Sequence, residues 1–290
     1  MSWQATLAGG VTIKPGGDLE YLTEADVLLP MRRDKLERAA LKARMMVKTA
    51  VAKIKEYTSS EAMRRAGFDD APNYEIENAF AKYFNLQPNH PRYWSFVEGI
   101  LEVYNSIWRG ISVSFVIVIY SQDKKADGSM EHGHVLAGPG MDFALGTMLA
   151  KMDPMGHVPW GTVNTSEINL NLEWFKAHTI SDEEVARTLV HEASHKFAYT
   201  NDILYKSNSY KATLSTDPDK LDEVVQLGLQ ETVTRGGVAK MMAGVGGAAV
   251  AKPLYRMMGE KELKPLELLR NADSYSWVAR RLWKKAGRPC

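Results

Sequence analysis

Residues 181–205 read SDEEVARTLVHEASHKFAYTNDILY, and the rest of the chain is best read outward from them. Ser181-x-x-Glu184 is a capping box, in which a hydroxyl and a carboxylate satisfy backbone N–H groups at a helix start. Val185, Leu189, Val190 and Phe197 then recur as apolar positions, so the helix is expected to run to about Ala198. Inside it, His191-Glu192-Ala193-Ser194-His195 matches H-E-x-x-H. Four residues at about 100° each bring the second histidine round to the face of the first, one turn on. Both imidazoles can therefore converge on one ion, and neutral imidazole nitrogen suits Zn²⁺ at about 2.0–2.1 Å. Glu192, beside the first histidine, is placed to take a proton from a metal-activated water. The pattern implies metal-assisted hydrolysis, usually of a peptide bond. With 7 His and 20 Glu in 290 residues, roughly 0.01 such matches arise by chance. The plain alternative is a surface helix with two exposed histidines.

A catalytic zinc takes a third protein ligand and keeps a fourth position open. The metzincin form H-E-x-x-H-x-x-G-x-x-H requires Gly and His where this chain has Ala198 and Asn201, so it is excluded. A glutamate on a following helix is available in Glu223 or Glu231, 28 and 36 residues past His195. Asp202, seven residues past His195, can fold back under the helix end. Spacing leaves these three open.

The remaining chain is that of a soluble globular protein, with 45% hydrophobic and 24% charged residues. Its length allows one large domain or two small ones. A net charge of +1 argues against general nucleic-acid binding. The one cysteine, Cys290, excludes an intramolecular disulfide. No run reaches the ~18 apolar residues of a membrane span. The N-terminus has no basic n-region and no apolar h-region, so it does not read as a signal peptide. Synthesis in the cytoplasm is expected, and export by a dedicated secretion system stays compatible with that.

Residues 1–30 are punctuated by Gly and Pro and read as an irregular or short-stranded arm. Residues 31–290 read as one domain. A long helix is expected over about Arg33–Tyr57, with Leu36, Ala39, Ala43, Val47, Ala50 and Ile54 at helical spacing. Two aromatic-rich helical stretches follow in 74–110. Ile111–Tyr120 (ISVSFVIVIY) is the strongest strand signal and is expected to be buried on both faces. Ser121–Gly140 reads as a loop in which His132 and His134 are solvated. Gly161–Leu170 reads as a second strand, and helical patterns return at about 219–235 and 260–285. Residues 236–251 (GGVAKMMAGVGGAAVA) suit a buried small-residue helix. Their functional readings are a lid over a cleft, or a patch within 236–258 that touches a membrane or partner.

The motif and its surroundings resemble the deuterolysin-like zinc peptidases (aspzincins), in particular their lysine-specific metallo-endopeptidase branch. That family follows H-E-x-x-H with Gly-Thr-x-x-Asp and a tyrosine three residues on. This chain has Tyr199-Thr200-Asn201-Asp202, with Asp202 at the ligand position after a His-to-Asp interval two residues shorter than in that branch, then Tyr205. EINLNLEWFKA (Glu167–Ala177) is similar to the strand and aromatic element ahead of the family's zinc helix. NADSY (Asn271–Tyr275) is similar to its C-terminal segment. The resemblance covers about residues 34–290, with an insertion at about 206–268. It implies a zincin-like α+β fold, with helices on a small mixed sheet and the H-E-x-x-H helix lying across it. It also implies one Zn²⁺ held by His191, His195 and Asp202, Tyr205 aimed at the oxyanion, and Asp273 in the pocket for the residue after the cleaved bond. The chain departs from the family at Tyr199 for Gly, at Lys206 for the Gly after the tyrosine, and at Ser276 for the second acidic pocket residue.

The expectation is a zinc-dependent endopeptidase acting on a peptide or protein substrate. Glu192 serves as the base, and the strand around Thr165–Leu170 pairs with extended substrate. A peptidase without a signal peptide suggests a delivered effector or toxin-type enzyme, or a processing enzyme of narrow specificity. The alternatives are a non-catalytic zinc-bearing binding protein on the same fold, or a membrane-associating module built on 236–258.

Overall fold

The computed structural model describes residues 3–17, 19–31, 33–65, 74–123, 131–135, 167–177, 180–198, 200 and 271–287. Among these the architecture is mixed α and β, with one five-stranded mixed sheet. The first strands, β1 (Ala5–Thr6) and β2 (Val11–Pro15), form an antiparallel hairpin with Ala5 opposite Ile13. Gly9 and Gly10 turn the chain between them at φ of 81° and 79°, a region that glycine enters without steric cost. The stretch read as an arm thus supplies two strands, and β2 is an interior one. It runs parallel to β3 (Phe115–Tyr120), with Val11 beside Phe115 and Pro15 beside Ile119.

β3 is parallel in turn to β5 (Ile168–Asn171), and β4 (Gly133–His134) closes the order β1-β2-β3-β5-β4 as an antiparallel neighbour of β5. Phe115, Ile117 and Ile119 are buried, while Val116, Val118 and Tyr120 are only half-buried. This corrects the expectation of a strand buried on both faces. The strand is also shorter than read. Ile111 completes the apolar stripe of the preceding helix, one turn past Ile107, and goes with it.

The helices are α1 (Glu24–Met31), α2 (Arg33–Arg65), α3 (Tyr74–Phe84), α4 (Tyr93–Ser112), α5 (Leu172–Ala177), α6 (Asp182–Ala198) and α7 (Ala272–Lys285). α2 runs beyond Tyr57 because TSSEAMRR contains no Gly or Pro to stop it. Its residues Leu36, Ala39, Met46, Val47, Ala50 and Ile54 are fully buried. α6 carries the H-E-x-x-H motif and packs against α2, α4 and α7, with β5 and β4 on its sheet side.

The start of α6 is held hard in place. Ser181 Oγ accepts from the Glu184 N–H at 3.1 Å, as the capping box predicts. Asp182 accepts from Arg38 at 2.8 Å and Lys42 at 3.3 Å, both on α2. Glu183 accepts from Lys284 at 2.6 Å and from Arg280, both on α7. Three acidic residues in the first turn also suit the positive end of the helix dipole. Burial pushes the Asp182 and Glu183 carboxyls up, but the cations bonded to them outweigh it and hold both below their ordinary values. No helix among the described residues is long and apolar enough to cross a membrane.

Candidate metal centre

The motif helix brings His191, Glu192 and His195 together, with donor atoms within 4.8 Å of one another. Each imidazole has its Nδ1 engaged from behind. His195 Nδ1 lies 2.6 Å from the Thr200 carbonyl oxygen. A carbonyl can only accept, so His195 Nδ1 carries a proton, and in the neutral ring Nε2 presents a lone pair. His191 Nδ1 lies 3.0 Å from Asp273 Oδ1 on α7, and a carboxylate there likewise fixes the Nδ1–H form. The two Nε2 atoms then face each other at 3.2 Å.

Two nitrogens at about 2.0–2.1 Å from a tetrahedral ion stand about 3.3–3.4 Å apart. In the neutral rings two Nε2 lone pairs at this separation repel, and a cation between them, a proton or a metal ion, turns that repulsion into attraction. The donor set therefore fits a metal ion. Glu192 Oε1 lies 3.9 Å from His191 Nε2, beside that point and not behind it. Glu192 is 3% exposed and His195 7%, so a charge here is poorly screened by water.

The chain just after the helix is tied back to it. Thr200 N–H donates to the Ser194 carbonyl at 3.3 Å, and the Ser194 and Thr200 hydroxyls are 2.7 Å apart. This return carries the Thr200 carbonyl under His195.

On the other side lies the sheet edge. A Cβ on Gly133 would sit 2.6 Å from the Asn169 carbonyl oxygen, 3.0 Å from Leu170 Cδ2 and 3.4 Å from Glu192 Cγ. Only a glycine lets β4 pass this close to both β5 and Glu192. The segment is anchored by Asn171, which is fully buried. Its backbone N–H donates to the His132 carbonyl at 3.0 Å, and its Nδ2 donates to the Glu131 carbonyl at 2.9 Å.

Two readings from sequence change here. The strand expected to pair with substrate, around Thr165–Leu170, has β3 on one side and β4 on the other along its described residues Ile168–Asn171. Among the described residues the terminal strand next to the motif helix is β4. His132 and His134, expected as solvated loop residues, are half-buried and engaged: the His132 ring stacks on Trp174 at 4.4 Å, and His134 Nδ1 is 2.7 Å from Glu131 Oε1. Asp273 is 5% exposed and turned toward His191 and Arg187.

Asp202, Tyr205, Glu223, Glu231 and the segment 236–258 lie outside the described residues. Sequence reading passed over Arg187, Thr200 and Gly133. Arg187, four residues before His191 and so on its face of the helix, was the detectable one. No protein-family model, no curated protein and no solved structure matches the chain.

Proposed function

We propose that the chain is a zinc-dependent endopeptidase on a zincin-like fold, related in its motif to the deuterolysin-like zinc peptidases. The observation that carries this reading is the pair of imidazole Nε2 atoms 3.2 Å apart with the Glu192 carboxylate close by. When bound at His191 and His195, zinc supplies Lewis acidity that polarises a carbonyl and makes a water acidic near neutral pH. Asp202 is the proposed third ligand.

The protein's own part is positioning and proton movement. The Glu192 carboxylate takes the proton of the attacking water and later gives it to the leaving amine. Tyr205 donates to the oxygen that becomes negative. Among the described residues β4 is the last strand of the sheet beside Glu192, and an extended peptide adding to its outer edge would run past that carboxylate.

Elemental analysis of the purified chain, paired with mass-spectrometric cleavage of an unbiased peptide mixture, tests the reading. About one zinc per chain and cleavage that disappears in Glu192→Gln with zinc retained is the expected result. Zinc bound without cleavage would favour a zinc-bearing binding protein instead. An unchanged rate in metal-checked Glu192→Gln would refute Glu192 as the base.

A further inference from the structure

Asp273 and Arg187 form a second layer behind His191, and their geometry is specific. Arg187 is 4% exposed, one helical turn before His191. Its Nη1 donates to Asp273 Oδ1 at 3.1 Å and to Ser276 Oγ at 3.3 Å. Its Nη2 donates to Glu184 Oε1 at 3.1 Å. The guanidinium lies 4.8 Å over the Trp277 ring, and the Arg280 guanidinium lies 5.0 Å from the same ring. One carboxylate oxygen, Asp273 Oδ1, therefore receives both the guanidinium and the His191 Nδ1–H.

We propose that Asp273, held in place by Arg187, is a positioning residue that fixes the tautomer and ring orientation of His191 for metal binding, and is not a recognition residue for a basic substrate side chain. The inference rests on the metal-centre reading above. Its physical basis is direct. A carboxylate behind Nδ1 raises the basicity of Nε2 and stops the ring from turning. Arg187 supplies the opposite charge that a buried carboxylate requires. A substrate lysine would have to displace a guanidinium that is already bonded to Asp273, to Ser276 and to Glu184.

The test uses the full chain as wild type, Asp273→Asn and the double variant Arg187→Met/Asp273→Leu. The double variant removes both buried charges together, so it avoids stranding one and keeps a folded sample available. Zinc affinity is measured by competition with a chromophoric chelator. The His191 tautomer is read from imidazole ¹⁵N shifts in the zinc-free protein. Expected are a 10–100-fold weaker zinc affinity in both variants, and loss of the pure Nδ1–H signature at His191, but not at His195, in the double variant. A merely structural brace would lower the melting temperature and leave both readouts alone. Wild-type affinity in a folded variant overturns the proposal. A wild type that takes up no zinc refutes the underlying metal-centre reading instead, and the two failures are told apart by the wild-type measurement.

Discussion

Gly110 tests whether the motif helix is seated as tightly as its contacts indicate. It lies in the last turn of α4, and a methyl group built on it would overlap Cγ, Cδ1 and Cδ2 of Phe197. Phe197 is in the last turn of α6, two residues past His195, and is partly buried against the core. Two effects oppose each other in Gly110→Ala. Alanine gains up to about 1 kcal/mol over glycine in a helix interior, and less near its end. Overpacking a filled contact costs about 1–3 kcal/mol. The overlap is with the body of a ring, not with the far end of a flexible chain, so the steric cost should win. Gly110→Ala should lose about 1–2 kcal/mol, or roughly 2–8 °C in melting temperature at ~2–4 °C per kcal/mol. With Phe197→Ala as background the clash is gone, and Gly110→Ala should become neutral or stabilising. Urea denaturation of the four proteins gives the coupling, provided the m-value is unchanged. Stabilisation by Gly110→Ala in the wild-type background, or an equal effect in both backgrounds, would refute the contact and with it the close seating of α6 on α4.

Gly133→Ala should push β4 off β5, because the new Cβ meets the Asn169 carbonyl at 2.6 Å; an edge strand can yield, so we expect a loss of about 1 kcal/mol in denaturation with zinc affinity at the wild-type level, and peptide turnover well below it. Asn171→Ala removes four side-chain hydrogen bonds, to Gln122 N and O, Glu131 O and Glu173 N. At about 1 kcal/mol each, some of it recovered by water, the cost should be about 2–4 kcal/mol, with faster hydrogen exchange in 131–135. The pH dependence has a definite sign. Asp182 and Glu183 are held below their ordinary values, so the folded state binds fewer protons than the unfolded one. Their contribution is complete above the ordinary carboxylate range and is lost as the pH falls through their lowered values. Arg280→Gln/Lys284→Gln should flatten the acid side of a stability–pH curve, and an equally steep curve in that variant would refute the clamp.

The motif helix was legible because a helix has fixed geometry: once Ser181 and Glu184 mark its start, the spacing of His191 and His195 determines that they meet. The sheet was much less so. β2 is five residues long and β4 only two, too short for a period-2 pattern to separate from turns. Parallel neighbours such as β2 and β3 are also about a hundred residues apart, so no local signal connects them. The boundary at Ile111 was misread because β-branched residues serve equally in a helix stripe and a strand. Asp273 shows a different limit. Resemblance located the residue and assigned it a pocket, but its partner Arg187 lies 86 positions away, and only the packing of α7 on α6 reveals that its carboxylate faces a histidine.

The character of α6 itself bears on why such a site is there. Glu184, Arg187, Thr188, His191, Glu192 and His195 follow the i, i+3, i+4, i+7, i+8, i+11 positions that form one helix face. On an ordinary core helix that stripe is apolar. Here it is polar or ionisable, yet Arg187, Thr188, Glu192 and His195 are all buried, with Val185, Leu189, Val190 and Ala193 buried around them. Burying such groups costs free energy unless each is bonded, and apolar residues of similar volume would hold the helix at least as well. The protein instead fixes the helix start with cations from two neighbouring helices and aligns its imidazoles through Asp273 and Thr200. Stability alone gives no reason for this arrangement. A helix whose inward stripe brings two imidazoles and a carboxylate within 4.8 Å of one another has the donor groups that could hold a metal ion, which is the reason the proposed function gives for it.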